Sequence, residues 1–530
     1  MKHLLKYFRS NKSRCILLAL YFSVTISLLC LYCISSVQHY YRFWLLNFDY
    51  GITFNAVKQL QPFVSDSPLP GLLFVRGVHV LAHNQQYLHA AFGWIHFFSN
   101  PHQLLLLAHA VGIFSTGVFV FYALKANLLA AMFLSLSVWL SPLVINLNHD
   151  LVHTEAFALP LLVLMHVASM KKSKTIYLWA FLALMAKVDV AITVGAYGFI
   201  SLLMGTKATH SRATSLIILG MASAVFLTNF LYVIPETKAL TCFLMTGKEI
   251  TEQGSNSVSA WFDDYFNNMF NPAYYLNSFG REEVLAYMLL VLWPLLVVGR
   301  EARLFLLLPL PAVFLNVIAN TSYLISAEFH YDHSTYAGVL IACLYALSRG
   351  SLSTLRSVTI AAVAVVIMFL FPTRFKNHPK ELRDPTFWDL TKDEKVVGIE
   401  YLDKALPRGI VISAEYHASN YLLTSHNQVY MFGNPFISDY FGVYEVCDGV
   451  DERKLEKLPI PDIIVLTKDY EVEERAKSAL IPYSFEEIPT KGIISPFQIL
   501  VRKNSAYREK VLAIIKAAEN SSTAQTQQAL

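Results

Sequence analysis

Apolar runs of nearly bilayer length recur along this chain from residue 15 and stop at residue 372. The first, Cys15 to Val37, holds no charged residue. Hydrocarbon offers no water to satisfy backbone N–H and C=O groups, so a spanning segment must satisfy them internally. A helix does so, and roughly 20 apolar residues carry it across. The recurrence therefore restricts the chain to an α-helical polytopic membrane fold. Composition agrees: of 530 residues 55% are hydrophobic and 15% charged, against about 25% charged in a soluble domain.

Placement of positive charge sets the expected topology. Lys2, Lys6, Arg9, Lys12 and Arg14 precede the first run, which is too long for a cleaved signal and reads as an uncleaved anchor. The positive-inside rule puts the N-terminus in the cytoplasm. Lys125, Lys171-Lys172-Ser173-Lys174, Lys207 to Arg212, Arg300 to Arg303 and Arg349 to Arg356 mark further cytoplasmic turns. Spans are expected near 15–37, 103–123, 127–146, 155–170, 175–187, 190–205, 213–233, 283–299, 304–319, 334–348 and 357–372. That makes about eleven transmembrane helices in a domain of residues 1–373, placed in the plasma (inner) membrane. The segment 175–205 reads as two short helices meeting at an outer cavity. One long tilted helix there would move the Arg300 cluster outside, against the rule.

From Pro372 the chain turns polar. Residues 374–394 read as a linker, 395–519 as a small extracytoplasmic α/β domain, and 520–530 as a disordered tail. Within the domain, helices are expected at 395–405 and 507–519, and strands at 409–413, 428–432, 462–467 and 497–502. Of six cysteines, Cys242 and Cys447 would share the outer side and could pair. No Gly-rich nucleotide loop, complete Ser or Cys nucleophile motif, or basic aromatic face for nucleic acid is present.

On this topology the polar residues gather on one membrane face. The first outer segment carries Arg42, Asp49, Lys58, Asp66, Arg76, His79, His83 and His89. A very short second one carries Asn146, Asn148, His149, Asp150, His153 and Glu155. Lys187 and Asp189 sit between the short helices, and Asn320, Glu328, His330, Tyr331, Asp332 and His333 follow later. Ionisable residues at a bundle's mouth are functional candidates by their cost near lipid. Each also has a plainer reading. His79, His89 and His109 are expected to be solvated. Thr154-Glu155 serves in part as an N-cap. Lys187 and Asp189 are two apart, do not face each other on a helix, and so seek partners elsewhere. The spacing of His330-Tyr331-Asp332-His333 matches no standard zinc pattern. Asp439-Tyr440-Phe441 and the loop 234–282, with Trp261 to Phe266, are aromatic segments that suit either a glycan contact or lid, or ordinary packing at an interface.

An ordered set of short motifs runs through residues 45–350. It comprises Phe48-Asp49-Tyr50-Gly51-Ile52, His83, Ser99-Asn100-Pro101, Ser141-Pro142, His153-Thr154-Glu155-Ala156, Leu159-Pro160, Lys187-Val188-Asp189, Asn316 and His330-Tyr331. With these the chain resembles a bacterial polytopic membrane family known only as a domain of unknown function, itself similar to GT-C-type glycosyltransferases. It departs from the family at Val188, where an acidic residue is usual, and at Thr154, where proline is. The resemblance implies a GT-C-like fold that transfers a sugar from a polyprenyl-phosphate donor to an envelope acceptor, a glycan, lipid or protein, on the outer face. Asp49 is then the catalytic base. Lys187 with His83 or His330 holds the donor phosphate, and Asp150, His153, Glu155, Asp189 and Tyr331 complete the substrate site. A divalent cation, Mg²⁺ or Mn²⁺, held by two carboxylates fits this chemistry, and the residues do not decide whether one is used. Two other readings stand beside it: a lipid or solute transporter, for which no internal repeat is visible, and a non-catalytic envelope-assembly protein.

Overall fold

The structure is a computed structural model that describes residues 12–45, 48–59, 72–73, 78–83, 85–150, 152–205, 210–246, 268, 270–319, 322–325, 330–350, 352–370, 389–423, 427–432, 460–470 and 481–528. Cys447, Asp439 to Phe441, Trp261 to Phe266 and the side chains of Asp49, His83 and His330 lie outside the described residues.

The chain is largely helical up to residue 370. Five segments are long and apolar enough to cross a bilayer: Arg14–Tyr41, Pro101–Leu124 (α3), Arg212–Phe243, Glu282–Leu307 and Ser353–Leu370. Two more, α4 (Leu128–Trp139) and α5 (Pro142–His149), meet at 47° and make a sixth if they form one bent span. Eleven spans were expected, and the described helices provide five or six of that length. The difference lies in the expected spans 155–170, 175–187, 190–205 and 334–348. They fold as α6 (Ala158–Met170), α7 (Ile176–Ala186), α8 (Val190–Met204) and α9 (His333–Leu347). α7 has 11 residues, about 16 Å at 1.5 Å per residue, half a hydrocarbon core. Likewise 304–319 splits into a 3₁₀ stretch, Gly299–Leu307, and a nine-residue helix, Leu310–Ile318. Apolar composition here reflects burial among helices as well as contact with lipid: every residue of α9 is buried, as expected for a helix apolar on all sides.

The break between α4 and α5 is local chemistry. Pro142 has no N–H and opens α5, and Ser141 before it is extended (φ −67°, ψ 128°). The long helix α1 (Lys12–Tyr41) packs along this pair. Tyr21 Oη bonds Ser135 Oγ at 2.7 Å, Tyr32 donates to the Trp139 carbonyl at 2.8 Å, and Ser36 donates to Asn148 Oδ1 at 3.1 Å.

The C-terminal region builds a five-stranded sheet in the order β2-β1-β3-β5-β4, from β1 (Val411–Ala414), β2 (Gln428–Met431), β3 (Ile463–Thr467), β4 (Phe485–Ile488) and β5 (Phe497–Arg502). β1 pairs in parallel with β2 and β3, and β5 is antiparallel to β3 and β4. Four strands and the helix Glu394–Ala405 (α10) match the sequence reading. The edge strand β4, Phe-Glu-Glu-Ile, has no apolar alternation to reveal it. The last helix, Arg508–Gln528, runs through most of the tail expected to be disordered. Val511, Ile515 and Ala518 bury an apolar face of this helix in the core of the sheet, and the Ala and Gln residues beyond them favour helix.

The sheet docks on the end of the membrane domain, and the two share one apolar core. Phe43 stacks on Tyr421 (4.9 Å, 16°), and Tyr421 Oη donates to the Tyr40 carbonyl at 2.9 Å. Asn420 Nδ2 donates to the Leu45 carbonyl at 2.5 Å. Asn420 and Tyr421 lie on α11 (Tyr416–Leu422), which packs on α2 (Phe48–Gln59). A Cβ at Gly51 of α2 would overlap the Asn420 side chain, so glycine there lets the two domains meet.

Candidate functional site

Beneath this junction lies a buried carboxylate. Glu155 sits on the 3₁₀ turn Thr154–Phe157 that leads into α6, and is 1% exposed. Lys187 Nζ donates to its Oε1 at 3.1 Å, and the Gln86 side-chain amide donates to its Oε2. Thr154 Oγ1 donates to Gln86 Oε1 at 2.8 Å, closing the set. Lys187 is available because α7 ends there: it is the extended residue (φ −165°, ψ 152°) before α8 begins. Gln86 precedes the 3₁₀ run Tyr87–Phe97, on which α2 packs. Three chain breaks thus deliver the three groups to one point.

Other polar groups surround the pair. Lys187 Nζ stands 5.2 Å from the centre of the Tyr331 ring, and Asp189 lies within electrostatic reach of it. Asp189 Oδ1 is buried and has no hydrogen-bond partner among the described residues. His153 Nε2 approaches Asp150 Oδ2 at 3.8 Å. The His153 backbone N–H points to His109 Nε2 at 3.4 Å, which makes that nitrogen an acceptor. His89, fully buried, feels both Glu155 and His153; burial is the main cause that pushes its imidazole down to about 4. Nearby, Tyr287 donates to Asp332 Oδ1 at 2.7 Å and receives Asn316 Nδ2 at 3.0 Å.

The structure therefore assembles Asp150, His153, Glu155, Lys187, Asp189 and Tyr331 from among the expected site residues. Lys187 finds its partner on another element, as two-apart spacing requires. Asp49 and His330 are placed only by backbone: Asp49 in the first turn of α2, and His330 at the start of the turn His330–Asp332, which touches α5. His83 ends the short helix Val80–His83. One expectation is overturned: His89 and His109 are buried in the site's wall, not solvated. Both lie in apolar runs, Tyr87 to Phe97 and the span after Pro101, and that setting was the available signal. Gln86 carried no signal at all, since nothing in a neutral amide before a turn marks it as the partner of a distant glutamate. Among the described residues no three His, Cys, Asp or Glu side chains converge as a metal site.

A family model described as a predicted membrane protein (DUF2079) matches residues 47–417. The chain belongs to this family. The match opens two residues before Asp49 and closes within α11, so the family's shared region takes in the membrane helices that follow α1, the buried pair and the first strand of the sheet. No curated protein and no solved structure matches the chain. Membership of DUF2079 establishes a membrane protein and brings no activity with it.

Proposed function

We propose that the chain is an integral membrane glycosyltransferase that moves a sugar from a polyprenyl-phosphate donor to an envelope acceptor. The observation that carries this reading is the Glu155–Lys187 pair, fixed by Gln86 and Thr154 where the sheet domain caps the helices. Two charges taken out of water are costly to keep and mark a functional place in a membrane protein. Lys187 has three N–H donors and uses one on Glu155, which leaves donors for a leaving phosphate as its charge grows. Glu155 is then a positioning residue for Lys187. Asp49, on the helix that packs beside Gln86, would take the proton of the acceptor hydroxyl or amine. Asp150, His153 and Asp189, with His83, His330 and Tyr331, would hold donor and acceptor, with or without a divalent cation. The site would face the outside of the plasma membrane. The disulfide at Cys242 supports that orientation, because disulfides persist in oxidising compartments. Cys242 neighbours Thr241, whose hydroxyl accepts from the backbone of His79 in the first outer segment.

The direct test is lipid extraction from cells with and without the gene. The proposal expects one polyprenyl-phosphate sugar to accumulate on deletion while one envelope glycan loses that sugar. Unchanged lipid-linked sugars, alongside a defect in uptake or export of a solute, would replace it with the transporter reading.

A further inference from the structure

A second constellation lies on the C-terminal sheet, apart from the buried pair. β1 is flanked by β2 and β3, both parallel to it. The chain leaves β1 to one side to form β2 and returns on the other side to form β3. Connections that diverge in this way leave a crevice beyond the carboxyl ends of the strands, where open parallel sheets bind ligands.

Glu415 is the residue after β1 and is 1% exposed. Its Oε2 accepts from Thr467 Oγ1, at the end of β3, at 2.9 Å. Its Oε1 is buried and has no hydrogen-bond partner among the described residues, and neither has His417 Nδ1. Buried polar atoms are nearly always satisfied, so an acceptor without a donor at a switch point calls for a ligand. Lys395 and Asp469, joined at 2.8 Å on the surface, lie within electrostatic reach of both residues. Phe432 follows β2 and Tyr470 follows β3, and their rings meet edge to face at 6.0 Å from either side of β1. Tyr470 is 37% exposed.

We propose that this crevice binds a neutral saccharide, with Glu415 Oε1 accepting from a sugar hydroxyl and Tyr470 packing on the C–H face of the ring. The vacant group is an acceptor, so the ligand must donate. Among the described residues, Lys395 beside the site is held by Asp469, and an unpaired carboxylate oxygen repels an anion. Burial raises the Glu415 carboxyl, which suits a neutral donor better than a cation. A sugar supplies both hydroxyl donors and an apolar face for an aromatic ring. The exposed Lys395–Asp469 pair is weakly held and can yield as the ligand enters. The proposal does not depend on the transferase reading, since a transporter or a scaffold could use the same site.

The test is saturation-transfer NMR on the full chain in phosphatidylcholine nanodiscs, free of sugar-bearing detergent. The probes are methyl glycosides of glucose, galactose and mannose, and N-acetylglucosamine. At least one should receive saturation. Its affinity should fall about tenfold or more in Glu415→Gln, as for loss of a charge-assisted hydrogen bond, and likewise in Tyr470→Ala. Lys503→Gln, just after β5 at the opposite end of the sheet, should leave the signal intact. Binding is read well below the melting temperature of every variant, so that unfolding is not read as loss of binding. No transfer to any probe overturns the proposal. So does a signal that survives Glu415→Gln.

Discussion

Glu155 and Lys187 hold each other out of water, and the energetics of such a pair are asymmetric. Removing one partner strands a buried charge, at a cost of about 3–5 kcal/mol, whereas replacing both by apolar groups is far milder. Glu155→Leu and Lys187→Met should therefore each lower the melting temperature sharply in nanodiscs, and the double variant should recover much of the loss. Additive losses would mean that the charges act separately. Burial also gives His89 a pH effect on stability. Its imidazole is held at about 4 in the fold, against about 6.5 in an unfolded chain. The unfolded chain binds the proton first, so stability is complete above pH 6.5 and declines as pH falls towards 4. At pH 5 the loss from this residue is about 2 kcal/mol. Melting curves from pH 7 to 5 should show it, and His89→Gln should flatten the slope.

At the scale of elements, the breaks matter more than the helices. Lys187 reaches Glu155 only because α7 stops after 11 residues, and Pro142 turns α5 so that Asn148 meets Ser36 of α1. Gly51 has a similar part in docking, where a side chain would strike Asn420. Gly51→Leu should loosen the contact between α2 and α11 by about 1–3 kcal/mol, the usual cost of overpacking. Amide exchange in Tyr416–Leu422 should then quicken while the exchange of α9 is unchanged. These elements also show how far the residues alone could be read. Hydropathy located nearly every helix, because lipid-facing and helix-facing surfaces are both apolar. For the same reason it could not separate a full span from a short buried helix such as α9. Asp150, His153, Glu155, Lys187 and Asp189 were legible because charge near lipid is conspicuous, and Tyr331 through its motif with His330. Gln86 and the burial of His89 and His109 were not, because they follow from contacts across large sequence separations.

At the scale of the molecule, one apolar core joins the sheet to the ends of the helices, so the sheet and the buried pair belong to one face. The proposed topology puts that face outside. Cys242 is buried and disulfide-bonded, so in denaturant it should be alkylated only after reduction; alkylation without a reductant would remove this support for an outward face. The most direct measurement for the whole account uses cells in which the chain is replaced by Asp49→Asn, matched for membrane level and for melting temperature. Their lipid-linked sugars and envelope glycans are profiled beside wild type and a deletion strain. The account predicts that Asp49→Asn reproduces the deletion, with one polyprenyl-phosphate sugar accumulating and its glycan product lost. A wild-type profile in Asp49→Asn, beside a clear defect in the deletion strain, would contradict it.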